Sequence, residues 1–173
     1  MRSITASGWL DRQERLTVDY ELLGDLGAIC LPAAALAPTR LDGLWQHSCF
    51  ELFAQAGAGP GYVEFNFAPS GDWASYAFNG YRTRHPADGP ALTTMEVHYR
   101  SDSRFTLRAC TALHVAGRGS PGTWSWQLGM AAVIETMSGT RSYWALQHPR
   151  REPDFHDAAA FAFVISFYRC VCN

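Results

Sequence analysis

Residues 44–82 read LWQHSCFELFAQAGAGPGYVEFNFAPSGDWASYAFNGYR and contain the clearest strand pattern in the chain. Apolar and polar side chains alternate in residues 46–53 and again in residues 62–68, and this period of two is typical of β-strands with one buried face. The predicted apolar face carries Phe50, Leu52, Val63, Phe65 and Phe67. The stretch therefore predicts two neighbouring strands that cover a dry core on one side and carry polar groups on the other.

The turn after the second strand sets the register of a third strand. Residues 69–72, PSGD, have turn chemistry throughout and predict a four-residue hairpin loop. Such a loop pairs Ala68 with Trp73, Asn66 with Ser75 and Glu64 with Ala77. On that register the polar face collects His47, Glu51, Tyr62, Glu64, Asn66, Trp73 and Ser75. Carboxylate, amide, imidazole and indole groups on one face suit a sugar, although an ordinary solvated face also carries such residues.

The rest of the chain repeats the same pattern. Proline and glycine interrupt it at short intervals, and the segments between them alternate as strands do. We expect an all-β, antiparallel β-sandwich of the immunoglobulin or jelly-roll type, with about eight to ten strands. Short helical turns are expected only at Ala33–Leu36 and Asp157–Ala160. A chain of 173 residues buries about 70% of its unfolded surface, which is enough for one core, so we expect a single domain over residues 1–173.

Composition excludes several classes of function. The formal net charge is −2, so no basic surface for nucleic acid is expected, and no apolar run is long enough to span a membrane. All 14 basic residues are arginines, which removes chemistry that needs a lysine amine. The start of the chain lacks the pattern of a signal peptide, and five cysteines at wide spacing predict reduced thiols in a cytoplasmic protein. The role of the close pair Cys170 and Cys172 is left open.

The run LWQHSCFELF, then YVEFNFAPSGDWASYAF and later PDFH, resembles the DOMON-like superfamily. The resemblance covers residues 25–167 and is to the bacterial cytoplasmic branch related to family 9 carbohydrate-binding modules. It implies a sandwich of about ten strands that holds a sugar or haem at one face or edge. Sugar-binding members hold the ligand between tryptophans, for which Trp45, Trp73 and Trp144 are available, and Arg82 and Glu51 are the available charges at the rim.

The resemblance leaves alternatives open. A haem module would need a methionine and a histidine as axial ligands, but Met95, Met130 and Met137 do not stand in recognisable ligand positions. A protein-interaction module that docks through its tryptophan-rich face, or a homodimer, is a further alternative. A glycoside hydrolase using Glu51 and Glu64 is a minor one. The sequence has no spacing typical of zinc ligands. Haem and calcium remain as possible cofactors, and calcium is the less expected of the two.

Residues 148–157, HPRREPDFHD, form a second polar cluster. Two prolines stiffen it, which suits the rim of a binding site. We favour the simpler interpretation, in which Phe155 plugs the end of the sandwich while Asp154 and His156 cap backbone groups.

The resulting hypothesis is a non-catalytic module that binds a small carbohydrate or sugar-like metabolite, with no metal and no catalytic residue. The predicted ligand-binding residues are Trp45, His47, Glu51, Glu64, Asn66, Trp73, Arg82 and Trp144.

Overall fold

Alternation of apolar and polar residues builds two antiparallel sheets. The computed structural model describes residues 2–13, 15–113 and 122–169. The strands are β1 (Ser3–Leu10), β2 (Arg15–Leu23), β3 (Cys49–Ala56), β4 (Tyr62–Phe67), β5 (Trp73–Gly80), β6 (Thr83–Asp88), β7 (Leu92–Ser101), β8 (Arg104–Ala112), β9 (Gly122–Glu135), β10 (Arg141–Ala145) and β11 (Phe163–Arg169). The helical structure in these residues is limited to the 3-10 turns Leu26–Ala28, Leu44–Gln46 and Ala158–Ala160. The predicted antiparallel β-sandwich is confirmed.

The two sheets differ in size. The smaller has the order β1-β2-β8-β7, and the larger has the order β10-β9-β3-β4-β5-β6. Strand β9 is 14 residues long, and its first half pairs with β11 while its second half pairs with β10. The larger sheet is therefore wide enough to present a broad outer face.

The core lies between the sheets. Phe50 of β3 stacks on Phe105 of β8 with the ring centroids 5.4 Å apart, and the Tyr20 hydroxyl of β2 donates a hydrogen bond of 2.7 Å to the backbone oxygen of Glu51. Phe65 and Phe67 are fully buried on the same side. The dry face predicted for residues 46–68 is confirmed.

The predicted register between β4 and β5 is wrong by one residue. Phe67 pairs with Trp73, so the loop holds five residues, 68–72, instead of four. The backbone N–H of Ala68 donates to the oxygen of Asp72 at 2.9 Å, and Gly71 has a φ of 97°, a conformation that favours glycine. A slip of one residue moves every side chain of a strand to the other face. Trp73 and Ser75 therefore lie on the core side, while Tyr76 and Phe78 lie beside Glu64 and Tyr62.

A second apolar cluster covers part of the outer face of the larger sheet. Phe161, which follows the 3-10 turn Ala158–Ala160, stacks on Phe53 of β3 with the centroids 5.7 Å apart. The helical turn predicted at Asp157–Ala160 forms, and the carboxylate of Asp157 caps it by accepting a hydrogen bond from the backbone N–H of Ala159 at 3.0 Å. The turn predicted at Ala33–Leu36 does not form.

Two further features concern membrane-spanning helices and the state of the cysteines. Among the described residues, no helix is long and apolar enough to cross a membrane. Cys30, Cys49 and Cys110 are free thiols, and the pair Cys170 and Cys172 lies outside the described residues.

Candidate functional site

A cavity of about 540 Å³ lies on the outer face of the larger sheet. Its floor is formed by β3, β4 and β9, its edges by β5 and β6 on one side and by β10 on the other. Segments 42–45 and 153–156 supply the rest of the lining. The volume is in the range of about 300–1,000 Å³ that small-molecule sites occupy.

Two buried carboxyl groups line the floor. Glu51 pairs in register with Asn66, and Phe53 pairs with Glu64, so the two glutamates are diagonal neighbours on one face of adjacent strands. Each is only 4% exposed. The carboxyl group of Glu51 makes no hydrogen bond and no ion pair with any residue that the structure describes, although it reaches the cavity. A buried polar group without a partner is costly, so this carboxyl group calls for a ligand, a water molecule or a proton.

A hydrogen bond from a neighbouring side chain of β4 holds Glu64 in place. The side-chain amide of Asn66, which is fully buried, donates a hydrogen bond of 2.5 Å to Glu64 Oε1. The thiol of Cys49 donates in turn to Asn66 Oδ1 at 3.5 Å. This chain fixes the orientation of the amide and leaves the second oxygen of Glu64 for the cavity side.

Both carboxyl groups on the floor have raised pKa values. Burial raises the pKa of Glu51 well above its ordinary value, and the negative charge of Glu64 raises it further. Burial also raises the pKa of Glu64, although the hydrogen bond from Asn66 opposes that rise. A floor carboxyl group that keeps its proton can therefore both donate to and accept from a ligand hydroxyl group, whereas an ionised one only accepts.

His156 stands over the floor as a neutral imidazole. The Tyr62 hydroxyl accepts a hydrogen bond from the backbone N–H of Arg82 at 3.2 Å and lies 2.8 Å from His156 Nδ1. If the hydroxyl donates to Nδ1, the ring proton is on Nε2, which is 3.7 Å from Glu64 Oε2. Burial, together with the charge of Arg82, lowers the pKa of His156 to about 4. In that tautomer the imidazole directs an N–H donor towards Glu64, beyond the distance of a direct hydrogen bond.

Asp154 anchors the segment that carries His156. Its carboxylate accepts from the Tyr81 hydroxyl at 2.6 Å, from Arg82 Nη2 at 2.9 Å and from the backbone N–H of His156 at 3.2 Å. Residues 153–156 are therefore tied to the β5–β6 turn and not only to their own neighbours.

Aromatic rings supply the apolar lining. Phe78 stacks on Tyr62 with the centroids 4.7 Å apart, and Tyr143 of β10 lies 6.2 Å from Phe155. Trp45 is 51% exposed and lines the cavity as well. Flat apolar rings next to buried hydrogen-bonding groups match a pyranose ring, which has apolar C–H faces and hydroxyls around its edge.

The predicted binding residues divide into three groups. Trp45, Glu51, Glu64 and Arg82 line the cavity, and Asn66 lies directly behind Glu64.

The other three lie elsewhere. His47 bonds through Nδ1 to Glu135 at 2.8 Å, outside the cavity lining. Trp73 and Trp144 pack against the core, and the Trp144 indole N–H donates to the Ser142 hydroxyl at 3.0 Å. The expectation that Trp73 shares a face with Glu64 is wrong because of the register described above.

Several lining residues were not among the predicted ones. They are Tyr76, Phe78, Arg84, Arg141, Tyr143, Phe155 and His156. A five-residue β4–β5 loop would have placed Tyr76 and Phe78 correctly. For residues 148–157 the interpretation as a plug is wrong in part: Asp154 does cap a backbone group, but Phe155 and His156 line the cavity, as the rim interpretation requires.

The structure offers no preformed metal site among residues 2–13, 15–113 and 122–169, where no group of three or more histidine, cysteine or acidic side chains is placed to hold an ion. The methionines considered for haem lie away from the cavity lining. Met130 is buried in the core, Met95 packs against it, and Met137 is exposed after β9.

A second depression, of about 430 Å³, lies on the outer face of the smaller sheet. Its charged side chains are already paired: Arg108 makes two hydrogen bonds of 2.7 Å to Asp19, and Arg104 pairs with Glu21. Because these groups satisfy one another, the cavity on the larger sheet is the better candidate site.

Comparison with known proteins supports the architecture. No model of a known protein family matches the chain, and no curated protein is significantly similar to it. A solved structure of a protein from Bacteroides uniformis, provisionally described as carbohydrate-binding, is similar, with a TM-score of 0.58 and 13% sequence identity over 88% of this chain and 73% of the other. At that identity the similarity establishes the fold, a β-sandwich shared with that protein.

Proposed function

We propose that the protein binds a small carbohydrate or sugar-like metabolite in the cavity on its larger sheet, without converting it. The observation that carries the proposal is Glu51, a carboxyl group 96% buried by its own fold that faces the cavity and has no partner among the described residues. Sugar hydroxyls both donate and accept, so they can satisfy Glu51, Glu64 and the His156 N–H together.

Two further observations support a sugar over another polar ligand. The aromatic lining from Trp45, Phe78, Tyr143 and Phe155 suits the apolar face of a pyranose. The resemblance of residues 44–82 to the branch of the DOMON-like superfamily that is related to family 9 carbohydrate-binding modules agrees with this, as does the description of the similar structure from Bacteroides uniformis.

The test is a thermal-unfolding screen against mono- and disaccharides, both neutral and acidic, followed by calorimetric titration of each compound that stabilises the protein. A ligand at about 100 times its dissociation constant stabilises the fold by about 2.7 kcal/mol, which raises the melting temperature by several degrees for a chain of this size. If no sugar raises the melting temperature, the proposal fails and the protein-interaction module becomes the leading hypothesis.

The variant that links binding to the cavity is Glu51→Leu. It removes the buried carboxyl group but keeps most of the volume, and a buried carboxyl without a partner is not expected to be needed for folding. The matched control is Glu96→Leu, which alters an exposed position of β7 on the outer face of the smaller sheet. We expect Glu51→Leu to lose measurable binding and Glu96→Leu to retain it. Unchanged affinity in Glu51→Leu would place the ligand elsewhere.

A second candidate function is glycoside hydrolysis. It is favoured by one observation: Glu51 and Glu64 lie side by side on the cavity floor, and both have raised pKa values, as a general acid requires. The two functions separate when a bound oligosaccharide is followed by NMR. Release of a reducing end that depends on both glutamates would establish hydrolysis, and an unchanged ligand would leave binding alone.

A further inference from the structure

The charges at the mouth of the cavity differ from those on its floor. Arg82, Arg84 and Arg141 line the cavity, and all three have exposed guanidinium groups, whereas the two floor carboxyls are buried. Because the chain has no lysine, every cation near the cavity is a guanidinium, the group that pairs with planar or tetrahedral oxyanions through two parallel hydrogen bonds.

The arginines on the β5–β6 side already have neighbours. Arg82 bonds to Asp154, as described above. The Arg84 guanidinium lies over the Tyr76 ring, 4.4 Å from its centroid, and its nearest carboxylate, Asp88, is 3.7 Å away.

Arg141 stands apart from them. It makes no ion pair with any residue in the described part of the chain, although it is directly opposite Glu135 in the β9–β10 register. Glu135 is bonded to His47 instead, at 2.8 Å. The remaining acid of the lining, Asp42, pairs with Arg40 at 3.3 Å and lies against the Tyr76 hydroxyl. Arg141 therefore forms no ion pair with any carboxylate among the described residues.

Guanidinium groups donate hydrogen bonds and accept none. A neutral sugar hydroxyl both donates and accepts hydrogen bonds. Beside a guanidinium, which cannot accept, its own hydrogen is left without a partner. An acceptor-only group, a carboxylate or a phosphate, matches it fully. We infer that the ligand is an anionic sugar whose carboxylate or phosphate binds Arg141 at the β10 side of the mouth, while its hydroxyls contact the floor. The inference rests on the proposed function and adds the chemical class of the ligand to it.

The experiment compares matched ligands by isothermal titration calorimetry on the full chain. Each neutral hexose is tested beside its uronic acid and its 6-phosphate: glucose with glucuronate and glucose 6-phosphate, and galactose with galacturonate and galactose 6-phosphate. A charge-assisted hydrogen bond corresponds to a factor of about ten or more in affinity. We expect at least one anionic member to bind at least tenfold tighter than its neutral counterpart, and whether that is the uronate or the phosphate identifies the group.

The variant is Arg141→Gln, and the matched control is Arg12→Gln, at an exposed position in the turn between β1 and β2. In Arg141→Gln the anionic and neutral sugars should bind with nearly equal affinity, whereas Arg12→Gln should keep the preference. The preference in the wild type should also weaken as salt is raised from 50 to 500 mM.

The outcomes separate the two proposals. Equal binding of neutral and anionic sugars by the wild type overturns this inference and leaves the proposed function in place. A preference for anions that survives in Arg141→Gln overturns the assignment to Arg141. Failure of every sugar, neutral or anionic, overturns both proposals.

Discussion

Replacement of Glu51 by glutamine should make the protein more stable at neutral pH, by an amount that grows with pH. Glu51 is 4% exposed and has Glu64 beside it, so its ionised form is disfavoured in the folded state and its pKa is raised above the ordinary value of 4.5. Above pH 4.5 the unfolded wild type therefore releases a proton that the folded protein still holds. Glutamine has nearly the same shape and does not ionise, so the variant lacks this penalty.

The magnitude follows from linkage. Where the unfolded state binds one proton fewer than the folded state, the free energy of unfolding falls by about 1.4 kcal/mol for each pH unit of increase. The difference in free energy of unfolding between Glu51→Gln and the wild type should be small at pH 4.5 and should grow by at most that amount for each pH unit. Between pH 5 and 7 the gain is therefore at most about 3 kcal/mol. It should level off where the pH passes the raised pKa of Glu51.

The assay is urea unfolding followed by circular dichroism at pH values from 4.5 to 8, at constant ionic strength. The control is Glu96→Gln, an exposed position on β7, for which the difference from the wild type should stay flat. Other titrating groups are common to both proteins and largely cancel in the difference. Parallel curves for Glu51→Gln and the wild type, or a variant that is less stable at pH 7, would show that Glu51 does not carry a raised pKa in the folded state.

Three other changes test other parts of the site. The pKa of His156 is about 4 in the folded state and 6.5 in the unfolded state, so acidification from pH 6.5 to 4 should lower the free energy of unfolding of the wild type by about 3 kcal/mol more than that of His156→Gln. Equal losses in urea unfolding would contradict this. Gly129→Ala places a Cβ 2.7 Å from the buried Phe161 ring and should cost about 1–3 kcal/mol, which lowers the melting temperature by several degrees. Gly59→Ala has open space around it and should leave the melting temperature unchanged, so similar melting temperatures for the two variants would count against this packing. Asn66→Ala removes the hydrogen bond to a buried carboxyl group and should lower the free energy of unfolding in urea by about 1–3 kcal/mol, and a neutral effect would mean that water takes its place.

The fold and the centre of the site could be predicted because they depend on local alternation. The period of two puts Phe50 and Leu52 on one face of β3 and Glu51 on the other, whatever the rest of the chain does. The register between β3 and β4 then brings Glu51 next to Glu64 and Asn66. Each of these steps depends on residues that lie close together in the sequence.

The sides of the cavity could not be predicted in the same way. Whether Trp73 or Tyr76 faces the cavity depends on whether the β4–β5 loop has four or five residues, and the letters PSGD fit a four-residue loop well. Arg141 and Phe155 reach the site from positions about 90 residues or more after Glu51, through the pairing of β10 with β9 and the anchoring of Asp154. No local pattern encodes those long-range placements.

Glu51 connects the stability of the protein with its proposed function. A buried carboxyl group next to a second one lowers the stability of the empty protein, and nothing among the described residues compensates for it. Leucine or glutamine at this position would fold at least as well, so folding alone gives no reason for a glutamate. The glutamate does give the cavity a hydrogen-bonding group that the hydroxyl of a bound sugar can satisfy. A variant that gains stability and loses sugar binding through the same substitution is therefore the outcome that this arrangement predicts, as expected where a destabilised group serves a binding site.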